Sequence, residues 1–246
     1  MKSVKKIVPL VIVTLLIILL LAGILFANGI IWFNTPSMTA YPVRGVDVSV
    51  YQGEINWEIL ASQKIEFVFI KATEGSSYAD EKFVYNWKEA DKTSLRLGAY
   101  HFFSFDSSGK NQAENFISTV PKRKGMLPPA VDIEFYADKE KKPPDVEITR
   151  RELQVLLDEL EKEYGAKPIL YATEKAYNLY LAGQFLEYPI WIRNIFSKAQ
   201  LEDGRKWTFW QYSDHGRLLG YDGEERFIDL NVFNGTSNEL DNLRIK

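Results

Sequence analysis

Val131-Asp132-Ile133-Glu134 alternates apolar and acidic residues, and in an extended strand that alternation puts Asp132 and Glu134 on one face and the aliphatic pair on the other. The pattern recurs in Val46-Asp47-Val48-Ser49-Val50 and in Ile228-Asp229-Leu230-Asn231-Val232, so three strands each carry an acidic face. Around them, strand-like segments near 45–50, 66–72, 97–103, 130–134, 168–172, 189–193, 207–212 and 227–233 are joined by apolar-periodic helical stretches. The helices, near 56–63, 81–93, 110–119, 149–164 and 174–182, follow the first five strands. In the fourth, Thr149 and Glu152 have the spacing of a capping box, and Gly165 and Pro168 close the helix off.

Strands alternating with helices imply parallel pairing, and eight strands suggest closure into a barrel. The segments 193–207 and 213–227 lack an apolar helical stripe. The expected α/β fold is therefore an irregular β/α barrel, with about five β/α units and a β-rich closing section. In such a barrel one face of each strand packs under the helices and the other points inward, with function at the C-terminal strand ends. On one strand an acidic face reads equally well as an edge or solvated face. Three acidic faces with no Lys or Arg alternating among them predict a convergent carboxylate cluster, which is costly to bury without a purpose.

Carboxylates paired in this way suit glycoside hydrolysis, in which one protonates the leaving oxygen and another supports the developing oxocarbenium ion. Tyr51, Tyr100, Phe102, Tyr171, Trp191, Trp210 and Tyr212 fall on or beside strand ends. Most large aromatics are core, while those at the mouth would stack on sugar faces and bind substrate. Glu74, after the second strand, is either another site acid or an N-cap. His101 reads as a satisfied core group. With no cysteine and only His101 and His215 as imidazoles, neither a metal nor another cofactor is expected.

From Ile7 to Phe33 no residue is charged, and 27 residues at ~1.5 Å each exceed the ~30 Å hydrocarbon core. Lys2, Lys5 and Lys6 precede this run, which predicts a cytoplasmic basic tail (1–6), a single-pass membrane anchor (7–33), a linker (34–42) and an extracellular domain (43–246). The alternative is a secreted protein released by signal cleavage, with weak sites near Ala22-Gly23 and Ala27. Of the 30 basic residues three precede the anchor, leaving 27 against 33 acids outside, a balance that argues against a nucleic-acid partner.

The strings GVDVSVYQG (45–53), FIKATEG (69–75), LGAYHFF (97–103), LPPAVDIE (127–134), WTFWQYS (207–213) and FIDLNVFNG (227–235) resemble the glycoside hydrolase family 25 lysozymes from about Gly45 to Gly235. The resemblance implies an irregular β/α barrel that cleaves the β-1,4 bond between N-acetylmuramic acid and N-acetylglucosamine in peptidoglycan, with net retention at the anomeric carbon. It implies that Glu134 is the general acid and that Asp132 is a nucleophile or assists the substrate's acetamido group. Asp47 and Asp229 would be supporting acids, and Tyr171 and Gln211 would lie near the site. Arg193 stands where that family commonly has a small residue, and the Asp138–Asp145 loop departs from its pattern. Two other readings remain: a chitinase-like hydrolase using the same Asp-x-Glu, and a non-catalytic peptidoglycan-binding or wall-assembly scaffold.

Overall fold

A computed structural model describes residues 4–246. After helix α1 (Val4–Ala27) come β1 (Arg44–Val48), α2 (Trp57–Ala61), β2 (Phe67–Glu74), β3 (Tyr78–Ala79), α3 (Phe83–Ala90), β4 (Arg96–Phe102) and α4 (Gly109–Thr119). They are followed by β5 (Ala130–Ile133), α5 (Val146–Tyr164), β6 (Ile169–Thr173), α6 (Glu174–Ala176, continued by a π-turn to Leu181), β7 (Ile190–Arg193), β8 (Phe209–Gly216), β9 (Ile228–Phe233) and α7 (Ser237–Leu243). The ring runs β1-β2-β4-β5-β6-β7-β8-β9 and closes back on β1, with β3 pairing only with β2. Pairing is parallel from β1 through β8, and β9 is antiparallel to both its neighbours. Five helices follow the first five ring strands and none follows β7 or β8, as the periodicity predicts.

The two strand faces divide the apolar residues into two cores. Val46, Val48, Val68, Ile70, Val131 and Ile133 point outward beneath the helices. Phe67, Phe69, Ala130, Ile169, Tyr171, Trp191, Phe209 and Phe233 fill the interior. Phe69 lies 4.8 Å from Trp191 and 5.5 Å from Phe209 between ring centroids, and Phe67 lies 5.2 Å from Phe209, so the lower barrel is an aromatic plug rather than a channel. Room for it comes from glycine: a Cβ on Gly45 would collide with the Phe67 ring, and one on Gly98 with the Phe69 ring.

Two local expectations are corrected, and one further helix is present. The capping box at Thr149 and Glu152 is not used: α5 starts one turn earlier, where the Asp145 side chain accepts from the Ile148 N–H. Thr149 is buried, and Glu152 instead accepts from Gly109 N–H at the start of α4. A real capping box, Thr236 with Glu239, opens α7, which the periodicity missed and which sends Leu240 into the inner core. The apolar run does not stay helical to Phe33. Gly29, at φ 63°, ends α1 with Gly29 N–H to Phe26 O and Ile30 N–H to Leu25 O, the Schellman pattern that a left-handed glycine permits.

The stretch 34–42 is exposed along most of its length but is held against the barrel at several points. Pro36 is buried, its carbonyl accepts from Arg44, and Tyr41 lies against Trp207 and Trp210. Of the basic tail, residues 1–3 and the side chains of 4–6 lie outside the described residues.

The glycine–phenylalanine fit is testable. Gly98→Ala forces a methyl against the Phe69 ring, and overpacking of this kind typically costs ~1–3 kcal/mol. Urea unfolding of the full chain in detergent should show that loss, and an unchanged midpoint would mean the ring has space to withdraw.

Candidate active site

Strand register brings the three acidic faces together at the C-terminal end of the barrel. Asp47 on β1 stands directly opposite Asp229 on β9, and Asp132 on β5 lies level with Phe102 on β4 and Tyr171 on β6. Glu134 follows β5 by one residue. Asp47, Tyr100, Asp132, Glu134, Tyr171, Trp191, Gln211 and Asp229 line a single pocket of about 320 Å³, counted to its open mouth.

Asp47 is the best-held carboxylate. Gln211 Nε2 donates to its two oxygens at 3.0 and 3.2 Å, and Asn231 Nδ2 donates to Oδ1 at 2.6 Å. Both amides are fixed in turn, because Tyr171 O–H donates to Gln211 Oε1 at 2.9 Å and Trp191 Nε1–H to Asn231 Oδ1 at 2.8 Å. These donors oppose the desolvation that raises the Asp47 pKa. Its cross-strand neighbour Asp229 is pushed well above the usual carboxylate range, by burial first and then by the Asp47 charge. Two carboxyls facing each other this closely share a proton, and the donors around Asp47 leave that proton on Asp229.

Asp132 and Glu134 form the second pair. Burial and then the Glu134 charge push Asp132 well above its ordinary range, and among the described residues its Oδ1 is buried without a hydrogen-bond partner. Burial also raises Glu134, while Arg193 and Lys71 pull it back and Asp47 pushes it up. The pair therefore keeps a proton into the range where isolated carboxyls are ionised, with Glu134 the member more influenced by the cations at the mouth.

Of the substrate-binding expectations, Tyr100, Tyr171, Trp191 and Gln211 line the pocket. Trp191 and Tyr171 are nonetheless buried, so their polar atoms position the amides that hold Asp47, and Trp191 has no free face for a sugar. Phe102 lies beside the pocket, with Lys71 Nζ 4.9 Å from its ring centre. Glu74 pairs with Lys71 at 2.8 Å at the rim, and Tyr51 is exposed on a turn after β1; neither lines the pocket. Trp210 and Tyr212 face outward into the helix-side core. His101 is a core group: Gln112 Oε1, which already accepts from Ser104 N–H, must take a proton from Nε2, while Nδ1 takes the Thr73 hydroxyl. Burial lowers its pKa to about 4, which keeps it neutral.

Sequence reading missed Asn231 and Lys71 as members of the site, and marked Arg193 only as a departure from the family pattern. Asn231 shares a face with Asp229, and Lys71 shares one with Phe67 and Phe69, so the period-two signal for both was present. Arg193, the last residue of β7, is held at 2.8 Å by Asp214, whose other oxygen binds His215 Nδ1. Among the described residues no group of His, Cys, Asp and Glu is arranged to hold a metal ion.

A family model described as glycosyl hydrolases family 25 matches residues 46–221. The solved structure of a family 25 glycosyl hydrolase from Bacillus anthracis superposes with a TM-score of 0.81 at 53% identity, covering 85% of this chain and 96% of that one. A bacterial lysozyme from Streptomyces coelicolor superposes with a TM-score of 0.72 at 30% identity, covering 82% and 96%. Lysozyme M1 of Streptomyces globisporus is 32% identical over 211 residues, 80% of this chain and 70% of its own length.

Burying Asp132 carries a stability cost whose sign follows from its raised pKa. The folded state binds the proton more tightly than the unfolded one. The penalty is therefore full above the folded-state pKa and disappears as pH falls towards the unfolded value near 3.8. Asp132→Asn removes the ionisation, so its melting temperature should exceed that of the parent at about pH 8, with the gain shrinking on acidification. A variant less stable at about pH 8, or a difference independent of pH, contradicts this account.

Proposed function

The chain belongs to glycosyl hydrolases family 25, and from that premise we propose that Glu134, Asp132, Asp47 and Asp229 carry out its reaction. The enzyme is a glycosidase, a lysozyme that hydrolyses peptidoglycan at the β-1,4 bond between N-acetylmuramic acid and N-acetylglucosamine. The observation that carries the residue assignment is the single buried pocket in which all four carboxyls meet, one of them with an unpartnered oxygen. The chitinase-like and scaffold readings have no comparable support, because the family strings and the complete set of acids occur together.

In this mechanism Glu134 donates its proton to the glycosidic oxygen as the bond to the anomeric carbon breaks. Glu134 suits that role because burial raises its pKa and so favours the acid form, while Arg193 and Lys71 pull the pKa back and ease release of the proton. Asp132, in its ionised form, faces the positive charge that develops. It either bonds to the anomeric carbon or steadies the substrate's acetamido group as that group does so, and both routes lead to net retention. Water then attacks, with Glu134 now acting as base. Asp47, fixed by its two amides, contributes negative charge on the same side, and Asp229 keeps that charge delocalised across a shared proton.

We further propose that the N-terminal helix is a retained anchor. Ile7–Ala27 is 21 residues with a mean hydropathy of 3.2 and none of it buried, about 32 Å at 1.5 Å per residue and enough to cross the ~30 Å core. Either a retained anchor or a cleaved signal delivers the barrel to the extracellular side, where its substrate is.

General acid catalysis is typically worth ~10²–10⁴-fold, so Glu134→Gln should lose at least about two orders of magnitude in digestion of purified peptidoglycan, read by mass spectrometry of the reducing-end sugar. A folded variant keeping more than about a tenth of the parent rate would remove Glu134 from the role. The pH profile provides a second test. Arg193 pulls the Glu134 pKa down, so Arg193→Met should raise it and move the alkaline limb of kcat/KM to higher pH. A limb that stays in place or moves to lower pH would mean that another group sets it.

A further inference from the structure

The end of α1 is not separated from the barrel by slack chain. Phe26, in its last turn, stacks on Trp32 at 4.7 Å between centroids, and Trp32 stacks on His215 of β8 at 4.9 Å and donates its indole N–H to Tyr212 O at 3.0 Å. Gly29 lies so close to the His215 carbonyl that a Cβ there would collide with it. Asn34 Nδ2 then donates to the carbonyls of Asn194 and Ser197, at 3.0 and 2.9 Å, on the loop after β7. Aromatic stacking and hydrogen bonds thus lock the helix end to the C-terminal ends of β7 and β8, the same end as the carboxylates.

Beside this junction the surface is apolar. Ile30, Ile31 and Phe33 are 57%, 44% and 63% exposed, and Phe196, projecting from the barrel loop after β7, is 69% exposed. Phe33 and Phe196 lie roughly parallel, with centroids 6.4 Å apart. Nothing in the barrel covers these side chains, and they sit where a membrane helix must leave the hydrocarbon. Exposed Phe and aliphatic side chains are the contacts by which surface segments enter the boundary between headgroups and acyl chains. The tip of the β8–β9 hairpin packs on the turn after β1, where Glu225 accepts from Gln52 and Gly223 lies against Tyr51.

We infer that the barrel rests directly on the outer leaflet, with Phe33 and Phe196 seated among lipid headgroups, so that its catalytic mouth opens onto glycan lying next to the membrane. The inference rests on α1 being a retained anchor. Its occupant is a lipid surface, because the patch is continuous with the only described helix long and apolar enough to span a bilayer. The substrate that this placement favours is the innermost layer of peptidoglycan rather than the outer wall.

The chain contains no cysteine, so single labels are clean. Full-length Phe196→Cys, Phe33→Cys, Leu16→Cys and Glu114→Cys proteins, each labelled with an environment-sensitive fluorophore, are reconstituted in phosphatidylethanolamine–phosphatidylglycerol vesicles. Quenching is read with aqueous iodide and with lipids carrying a spin label near the headgroup or deep in the chain. Labels at 196 and 33 should be several-fold less accessible to iodide than the label at 114 on α4, and quenched by the shallow lipid. The label at 16 should respond to the deep lipid. If 16 is in lipid while 196 and 33 behave like 114, the resting orientation is wrong and the anchor stands. If 16 is not in lipid, the anchor fails and the inference fails with it.

Discussion

The hydrogen bonds that Gln211 and Asn231 donate to the buried Asp47 carboxylate set the requirements for the rest of this structure. A carboxylate away from water is tolerated only when its charge is met by donors, and the amides must be oriented so that they donate rather than accept. Tyr171 and Trp191 provide that orientation by donating to the opposite end of each amide. These two aromatics in turn need a firm base, which Phe67, Phe69 and Phe209 supply. The aromatic base fits only because Gly45 and Gly98 leave room for the rings. Polar chemistry at the mouth is therefore continuous with apolar packing several layers below it, and the parallel ring of strands provides the common register.

The same logic explains how four carboxyls coexist in one pocket. Burial and the Asp47 charge favour the neutral form of Asp229, burial does the same for Asp132 and Glu134, and Lys71 on β2 and Arg193 on β7 supply positive potential without bonding directly to these acids. Each cation is itself tied elsewhere, Lys71 to Glu74 and Arg193 to Asp214. A cation bonded directly to Glu134 would hold it ionised and end its use as an acid, whereas one at a short remove only moderates its pKa. This partial compensation leaves an electrostatically unfavourable arrangement, with an unpartnered oxygen on Asp132, as expected where a site is organised for a transition state rather than for stability.

Much of this was legible in sequence because a strand has period two. Once residues 46–50, 131–134 and 228–232 are recognised as strands, the convergence of Asp47, Asp132, Glu134 and Asp229 follows from the parity of the pleat and the closure of the ring. The five β/α units were legible for the same reason. What parity cannot show is which neighbour a side chain meets across the barrel. Trp191 therefore read as a sugar platform, whereas its ring is buried and its N–H holds Asn231. Glu74 read as either a site acid or an N-cap, whereas it pairs with Lys71 three residues earlier on the same strand. The capping-box spacing at Thr149 was outcompeted because Asp145 reached the free N–H groups one turn sooner.

Residues 28–42 were the least legible because their structure is imposed from outside. Taken locally, the apolar run to Phe33 supports a helix and the following Thr, Pro and Ser support a free linker. Gly29 ends the helix where the barrel's His215 carbonyl leaves room for nothing larger, and Trp32 and Asn34 then find partners that lie 160 or more positions away in sequence. Such contacts are worth forming only if fixed geometry has an advantage over reach. A flexible tether of a few tens of residues would let the barrel explore much of the wall at low effective concentration. A docked segment confines it to one depth and one orientation, and raises its encounter rate with whatever glycan passes there. The cost is ordering of the backbone from Asn28 to Pro42, and the stacked rings of Phe26, Trp32 and His215 with the hydrogen bonds of Asn34 are placed to offset it.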